Sequence, residues 1–326
     1  MKIAIITEGG LEMGMGHVYR CLSLAEELPE QSVHFFTKSD EATCAKIKNS
    51  GFDLTRFRYD AEMLDFLASI DFNIIVLDRL ELDETFVKQI KENVKSKIII
   101  FGNTSAANKY ADVVVNAVVG SNFKNRKFVD ETTNTLYLYG PKYLVLRKEF
   151  YDIRKRRKIF HKHIKKIVLI FGGSDSSNLT SKVLDKLLSY GEDWEINVLL
   201  GAAFNHFDAL NGVIMQYQGG KEKVSIYKDA RSVAKFMCAA DLVMTSPGLS
   251  MFETFCVNVP AILICQNSYQ KTQFSDFVNV YDESILDKLK EVISDTDILK
   301  KNLRIAKNLM VGEGKKEIID LILEER

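Results

Sequence analysis

The 326-residue sequence lacks several features that mark particular classes of protein. Its 44 basic and 44 acidic residues leave no formal net charge, which removes any overall electrostatic case for binding nucleic acid. The longest apolar runs have the length of strands, and none approaches the roughly 20 residues that cross a bilayer. The N-terminal apolar stretch turns polar at Thr7 and Glu8, too early for a secretory signal. We therefore expect a cytoplasmic protein without a membrane span.

The sequence also lacks the spacings that mark metal and redox sites. Its five cysteines are scattered and contain no Cys-x-x-Cys pair, so reduced thiols are the expected state. Its five histidines form no His-Glu-x-x-His or similar ligand set. We expect no metal site and no cofactor. The absence of net charge permits self-association, but composition alone does not determine the oligomeric state.

What the sequence does contain is a repeated alternation of strand-length and helix-length segments. The strand-length runs are rich in valine and isoleucine and show no polar alternation, which is typical of strands buried on both faces of a parallel sheet. Strand–helix–strand repetition predicts right-handed crossovers and doubly wound domains. The predicted strands are residues 2–7, 33–36, 73–77, 97–101 and 113–115, then 164–171, 196–200, 242–245 and 261–264.

The pattern restarts near the middle of the chain, which predicts two domains. Residues 1–150 form the N-terminal Rossmann-like domain and residues 163–326 the C-terminal one, with the last helix a candidate to pack back on the first domain. Between them, residues 154–166 hold eight basic side chains and no acidic one. We interpret this run as a solvated linker, with a phosphate-binding or membrane-surface patch as the alternative. The predicted fold class is α/β, with two doubly wound parallel-sheet domains that face a cleft.

A glycine-rich turn follows the first predicted strand and ends in Gly14-Met15-Gly16-His17 before a helix. Glycines in this position let the backbone approach an anionic ligand at the positive end of the helix. A dinucleotide fingerprint is excluded, because Tyr19 stands where its third glycine is required. His17 places a titratable group where the helix opens. It is a candidate catalytic base, with a hydrogen-bonded structural histidine as the alternative.

Two further turns of the same kind occur in the second half. Gly172-Gly173-Ser174 joins a strand to a helix and suits an anionic group, although simple helix capping is an equal alternative. Residues 245–253 form the other turn, whose backbone amides are candidates to hold a diphosphate. Its acidic residue, Glu253, is a candidate to accept hydrogen bonds from ribose hydroxyls, or it only complements the helix dipole. The candidate binding residues of this turn are Gly248, Leu249, Ser250 and Glu253.

In their order and spacing these motifs resemble the PseG/SpsG family. Residues 14–22 are similar to its G-x-G-H-x-x-R-C-L signature, which includes Arg20. Residues 172–175 resemble its G-G-[ST]-D loop, and residues 248–253 resemble a G-x-[ST]-x-x-E nucleotide loop that the family shares with MurG-like glycosyltransferases. Asn267 matches an asparagine of the family, and residues 140–150 resemble the segment leading out of its first domain. The resemblance covers most of the chain.

The resemblance implies a GT-B fold and a UDP-sugar as the small-molecule substrate. In such a protein the C-terminal domain holds UDP and the sugar faces the N-terminal domain. It also implies catalytic roles for His17 and Asn267, with His17 as the base that activates water against the anomeric carbon. The implied activity is release of UDP from an amino- or deoxy-sugar in the biosynthesis of surface polysaccharide or nonulosonic acid, pseudaminic acid among them.

Several positions depart from the family pattern, mostly on the sugar side of the first domain. The second-domain motifs are kept better, which predicts a retained UDP-sugar site with a changed sugar or acceptor. Two other functions therefore stay open: a glycosyltransferase that uses a UDP-sugar donor, and a protein that binds a nucleotide-sugar without chemistry. The departing residues are Ile6, Glu8, Leu80, Gly102, Asn103 and Ser268.

Overall fold

A computed structural model describes residues 1–10, 14–29, 32–118, 123–154, 163–217, 219–230, 232–275 and 280–324. The chain divides into two compact units, of which the first comprises Met1–Arg147 with Val311–Arg326 and the second comprises Lys148–Met310. The C-terminal residues thus belong to the same unit as the N-terminus. Most of the basic run at 154–166 lies outside the described residues, so its predicted role as a linker stays a prediction.

The elements of the first unit alternate along most of its length. The strands are β1 (Ile3–Thr7), β2 (Val33–Thr37), β3 (Asp53–Arg56), β4 (Ile74–Asp78), β5 (Lys97–Phe101), β6 (Val113–Asn116), β7 (Arg126–Asp130) and β8 (Thr135–Tyr139). The helices are α1 (Gly16–Ala25), α2 (Glu41–Asn49), α3 (Asp60–Ser69) and α4 (Glu84–Asn93), and short 3₁₀ helices cover Ala106–Tyr110 and Pro141–Tyr143.

The second unit repeats the alternation with six strands. They are β9 (Lys166–Ile170), β10 (Glu195–Leu200), β11 (Val224–Lys228), β12 (Leu242–Thr245), β13 (Ala261–Ile264) and β14 (Val280–Tyr281). Its helices are α5 (Lys148–Arg154), α6 (Leu179–Ser189), α7 (Phe207–Gln216), α8 (Gly220–Lys223), α9 (Val233–Ala239), α10 (Leu249–Cys256), α11 (Ser268–Phe274), α12 (Leu289–Ser294) and α13 (Thr296–Leu309). A 3₁₀ helix covers Glu283–Lys288, and the last helix, α14 (Lys315–Leu323), completes the first unit.

The two sheets share one strand order. The first runs β3-β2-β1-β4-β5-β6-β8-β7 and the second β11-β10-β9-β12-β13-β14. All neighbouring strands are parallel except β7 and β8, which form an antiparallel hairpin at one edge. Six strands of each sheet therefore follow the doubly wound order 3-2-1-4-5-6. The predicted pair of parallel-sheet α/β domains is confirmed, with the antiparallel hairpin as an addition that the apolar pattern did not indicate.

Helices cover both faces of the first sheet, which explains why its strands read as continuous apolar runs. Ile3 and Ile5 of β1 pack on the side of α1 and α14, whereas Ala4 and Ile6 pack on the side of α3 and α4. Each additional buried side chain of this size contributes about 1.5–3 kcal/mol relative to exposure. Ile6, one of the departures from the family pattern, is thus a fully buried core residue.

The strand order fixes where ligand-binding loops are expected. In an open parallel sheet they lie at the carboxyl ends of the strands on either side of the point where the order reverses. That point falls between β1 and β4 in the first unit and between β9 and β12 in the second. The loops that follow these four strands carry most of the predicted site residues.

Candidate functional site

His17 and Asp78 meet at the reversal point of the first sheet. His17 lies in the first turn of α1, directly after the β1 loop, and Asp78 is the last residue of β4. The Nδ1 atom of His17 is 2.7 Å from Oδ1 of Asp78. The side chain of His17 is 18% exposed, while that of Asp78 is fully buried. The pair therefore consists of a solvent-accessible imidazole held by an inaccessible carboxylate.

Arg20 completes this cluster one helical turn after His17. Its Nε donates to Oδ2 of Asp78 at 2.6 Å and its Nη2 donates to Oδ1. The Cys21 thiol also donates to Oδ2, at 3.5 Å. Burial disfavours the charged carboxylate, but the charge and hydrogen bonds of Arg20 and the hydrogen bond of His17 outweigh it. They hold the pKa of Asp78 below its ordinary range, so it stays ionised.

The hydrogen-bond pattern determines the tautomer of His17. An ionised carboxylate only accepts hydrogen bonds, so Nδ1 carries the hydrogen and Nε2 carries the lone pair in the neutral ring. Nε2 has no hydrogen-bond partner among the described residues. The arrangement matches that of a general base whose second nitrogen is oriented by a carboxylate. Arg20 Nη2 lies 3.1 Å from Nδ1 because both groups donate to the same oxygen.

The glycine loop before His17 is closed by its own backbone. Gly10 and Gly14 exchange two hydrogen bonds, of 3.2 and 2.8 Å, and the residues between them lie outside the described part of the chain. Gly14 has a φ of +81°, a conformation that glycine adopts without the cost of a side chain. Gly16 is exposed and begins α1, whose N-terminus has no side-chain cap. Of the two predicted binding glycines, only Gly16 thus stands at the open helix end.

Three residues that depart from the PseG/SpsG pattern, Glu8, Leu80 and Gly102, differ in their surroundings. Glu8 forms an ion pair with Arg79, with Nη2 and Oε1 2.6 Å apart, and Arg79 itself is 6% exposed. Leu80 is instead 60% exposed. Gly102 has a φ of +65°, and a Cβ atom there would lie 3.5 Å from Nη2 of Arg20. Glycine at this position therefore leaves space beside Arg20 that a longer side chain would occupy.

The first glycine turn of the second unit follows β9. Gly172, Gly173 and Ser174 are all exposed. Asp175, the next residue, is buried, and its two oxygens accept the amides of Leu179 and Thr180 at 2.9 and 2.8 Å. Asp175 rather than Ser174 therefore caps α6. This leaves the Ser174 hydroxyl exposed beside two glycines, where the predicted anion contact remains a prediction.

The second turn follows β12 and leads into α10 through Gly248. That helix has no side-chain cap, and the amides of Leu249 and Ser250 have no acceptor among the described residues. Unpaired amides at a helix N-terminus attract anions. Glu253 also lies on α10 but is only 3% exposed. A ribose would have to approach the α10 backbone closely to reach this carboxylate.

Asn267 and two glutamines tie the loops of the second unit together. Asn267, which follows β13, caps α11 by accepting the Gln270 amide at 2.9 Å, and it is exposed. Gln270 donates to the Pro247 carbonyl at 2.9 Å, and Gln266 donates to the Phe171 carbonyl at 2.8 Å. The loops after β9, β12 and β13 are thereby fixed to one another. The predicted catalytic role of Asn267 stays a prediction, since its observed contact is a helix cap.

The structure thus gathers the predicted residues into two groups, one in each unit. His17 and Arg20 lie in one cluster, to which the fold adds Asp78. Gly172, Gly173 and Ser174 share the other with residues 248–253 and 267. Sequence reasoning did not select Asp78, Gln266 or Gln270 as site residues. A signal for Asp78 existed, because it is a charged residue at the carboxyl end of an otherwise apolar strand.

Two classes of feature are missing from the described residues. No group of three or more histidine, cysteine, aspartate or glutamate side chains in this part of the chain is arranged to hold a metal ion. Nor does any helix within the described ranges combine the length and apolarity that a bilayer crossing requires.

Comparison with known proteins identifies relatives over the whole chain. No protein-family model matches it. The uncharacterized protein MJ1062 of Methanocaldococcus jannaschii is 44% identical over 329 residues, and the chain covers 66% of that protein's length. The spore coat polysaccharide biosynthesis protein SpsG of Bacillus subtilis is 26% identical, across 98% of this chain and 94% of its own length. The chain thus matches nearly all of SpsG but about two thirds of MJ1062.

Solved structures match the chain over nearly its full length. MurG of Acinetobacter baumannii superposes with a TM-score of 0.65 at 13% identity, over 99% of both chains. Anabaena HepE, solved in complex with UDP, gives a TM-score of 0.60 at 13% identity, over 98% of this chain and 99% of its own. At identities this low, a structural match is evidence for a shared fold and not for a shared activity. With its two parallel sheets and these structural neighbours, the chain has a GT-B fold, which confirms the fold class that the sequence predicts.

Proposed function

We propose that the protein is a nucleotide-sugar hydrolase that releases UDP from a UDP-linked amino- or deoxy-sugar, in the biosynthesis of surface polysaccharide or nonulosonic acid. One observation carries the proposal: His17 is held through Nδ1 by the buried Asp78, and its Nε2 is left to accept a proton. The similarity to SpsG and the UDP bound to HepE agree with such a substrate.

The proposed reaction is a displacement at the anomeric carbon. A water oxygen attacks C1 of the sugar while Nε2 of His17 takes one proton from that water. The bond between C1 and the diphosphate oxygen breaks, and its electron pair leaves with UDP. The positive charge that develops on the imidazole is balanced by Asp78, which is ionised and 2.7 Å away. Base catalysis of this kind contributes about 10²–10⁴-fold to the rate.

The second unit supplies the groups suited to the diphosphate. The open N-terminus of α10 presents the amides of Leu249 and Ser250, and the exposed Gly172, Gly173 and Ser174 offer further donors. Preorganised amides stabilise the charge that grows on the leaving group without the reorganisation that water would need. We therefore assign UDP binding to the second unit and base catalysis to the first.

A glycosyltransferase is the main alternative, because the same base would activate an acceptor hydroxyl as well as water. The neighbours MurG and HepE share the fold, but fold alone does not decide between the two reactions. A nucleotide-sugar-binding protein without chemistry is the third candidate. The exposed Leu80, at a position where the family carries a different residue, is the observation that keeps it open.

Incubation with a panel of UDP-sugars separates these functions. We expect UDP to be released from at least one UDP-linked amino- or deoxy-sugar in water alone, with UDP followed by ion-exchange chromatography. Matched GDP- and CDP-sugars serve as controls and should release little nucleotide. Release that requires an added sugar acceptor would favour the transferase. Tight binding of a UDP-sugar, without turnover under either condition, would contradict both enzymatic proposals.

The role of Glu253 is tested by nucleotide binding. If its carboxylate accepts ribose hydroxyls, Glu253→Gln should weaken UDP binding about 10-fold, because a hydrogen bond to a charged group contributes about 1.5–3 kcal/mol. Titration calorimetry with UDP measures the change, and circular dichroism verifies the fold. Glu291→Gln, an exposed position in the first turn of α12, is the matched control. Equal affinities for the two variants would assign Glu253 to helix packing.

A further inference from the structure

The antiparallel hairpin leaves β7 as the outer strand of the first sheet. β7 pairs with β8 on one side, and no described strand lies on its other side. Four of its five residues are exposed, including Phe128 at 43% and Val129 at 51%. The strand contains no proline, and the residues in it that can discourage pairing at an edge are its charged ones, Arg126, Lys127 and Asp130. Its outer backbone groups are therefore available as a template.

An aromatic stack on one face of the hairpin ends at this edge. Phe128 lies 5.2 Å from Tyr137 and 5.7 Å from Tyr139 between ring centroids, with interplanar angles of 13° and 3°. Because Phe128 is on the outermost strand, one side of its ring has no neighbour within the described sheet. Stacked aromatic pairs across strands contribute about 0.5–1.5 kcal/mol beyond the area that they bury. A further aromatic ring from another strand would extend the stack.

The charges of β7 are complementary to those of a second copy of β7 that runs in the opposite direction. The strand reads Arg126-Lys127-Phe128-Val129-Asp130. If two copies pair antiparallel about Phe128, each Arg126 stands opposite Asp130 of the other copy. Phe128 then stands opposite Phe128 of the other copy, and an arginine faces an aspartate at each end of the pair.

The side chains available for this pairing are on one face of the strand. Alternate residues share a face, so Arg126, Phe128 and Asp130 point the same way. Arg126 forms no ion pair with a described residue, and within the described part of the chain the Asp130 carboxylate accepts only the Thr132 amide, through Oδ1 at 2.8 Å. Lys127, on the opposite face, is held by Glu317 of α14 at 2.8 Å. Lys127 is thus the charged residue of β7 that already has an ion-pair partner among the described residues, and the pairing does not use it.

We propose that the protein forms a symmetric dimer through antiparallel pairing of β7 with β7 of a second copy. The contact is isologous, since one surface patch meets its own equivalent. Five residues a side cover less than the about 1,600 Å² of a standard interface, so we expect a weak dimer. This inference rests on the hairpin alone and does not depend on the proposed function.

Charge reversal at the two ends of β7 tests the register. Arg126→Asp places two carboxylates opposite each other at both ends of the pair, and Asp130→Arg places two guanidinium groups there. Each variant alone should dimerise at least about 10-fold more weakly, since two favourable pairs become repulsive. An equimolar mixture of the two variants restores both complementary pairs and should dimerise as the wild-type protein does. Arg304→Asp, an exposed charge reversal in the second unit, is the control and should dimerise normally.

Sedimentation velocity from about 1 to about 200 µM measures the association, and thermal unfolding of each variant verifies that the hairpin unit is folded. A sedimentation coefficient that rises with concentration for the wild-type protein and for the mixture, but not for either variant alone, is the expected result. A wild-type protein that stays monomeric over this range would overturn the proposal. So would a dimer whose affinity is unchanged in both single variants.

Discussion

His17→Ala is expected to lower the rate of UDP release at least about 100-fold while UDP still binds. Alanine removes the imidazole whose Nε2 is the proposed proton acceptor, and base catalysis contributes about 10²–10⁴-fold. The amides and carboxylate proposed to bind UDP belong to the second unit, so the affinity for UDP should stay within about threefold. Steady-state turnover of the UDP-sugar that the wild-type protein cleaves gives kcat, and calorimetry gives the affinity.

His34→Ala is the matched control for this experiment. His34 lies on β2 in the same unit, where its Nε2 is bonded to Thr55 Oγ1 at 2.8 Å. Its removal takes away a ring of the same size and should leave kcat within about twofold, as for a residue with no part in the chemistry. If His17→Ala lowers kcat no more than His34→Ala does, then His17 is a structural histidine and the proposed mechanism is wrong.

The fold was largely predictable because its central strands are buried on both faces. The runs at β1, β4, β5, β9, β12 and β13 have no polar alternation, and each was predicted within about three residues of its observed ends. The strands that were missed lie at or near the sheet edges. β3, with sequence Asp-Leu-Thr-Arg, contains only one apolar residue, and β7 is mostly exposed. Edge strands bury less surface and so carry a weaker apolar signal.

The last helix was named from the sequence as a candidate to pack back on the first domain, but no local pattern identifies the contacts that place it there. α14 is amphipathic, but amphipathicity does not identify the sheet against which a helix packs. In the structure Ile318 and Ile322 join the core of the first unit, and Lys315 bonds to Ser23 at 3.1 Å. These contacts connect residues nearly 300 positions apart in sequence, so no window of the sequence contains them.

In the candidate site, too, short local motifs could be predicted from the sequence, whereas contacts between distant residues could not. The turns at residues 14–17, 172–174 and 248–250 were recognisable because each is a short local motif between a strand and a helix. Asp78 is 61 residues from His17, and only the parallel pairing of β1 with β4 brings their ends together. The burial of Glu253 was equally hidden, since a glutamate early in a helix is usually exposed.

Asp78→Asn is expected to reduce both stability and turnover, because Asp78 balances two neighbours at once. Arg20 would keep its charge in a largely buried position without a counterion, and removing one partner of a buried pair costs about 3–5 kcal/mol. Because asparagine retains one acceptor oxygen, we expect the unfolding free energy to fall by about 3 kcal/mol, the lower end of that range. If the asparagine amide donates to Nδ1, the lone pair of His17 moves away from Nε2, and kcat should fall at least about 100-fold.

The stability loss should depend on pH in a defined direction. The folded-state pKa of Asp78 is below its ordinary value, so its stabilising contribution is present above the unfolded pKa of about 3.9 and is lost as the pH falls through the folded value. Asparagine does not titrate. The part of the difference in unfolding free energy between the wild-type protein and Asp78→Asn that comes from the Asp78 charge should therefore be present at about pH 5 and shrink below about pH 4. Urea unfolding at each pH measures it.

Asp112→Asn provides the same chemical change at a site that lacks the histidine. Asp112 accepts the Ile98 amide at 2.7 Å and pairs with Lys91 at 3.3 Å, and its side chain is 27% exposed. A pair this exposed contributes at most about 1 kcal/mol, and kcat should not change. If the two variants lose equal stability and keep equal turnover, the buried carboxylate neither holds Arg20 nor orients His17. A larger loss in both quantities for Asp78→Asn alone would tie the stability of the cluster to its chemistry, because one carboxylate serves both.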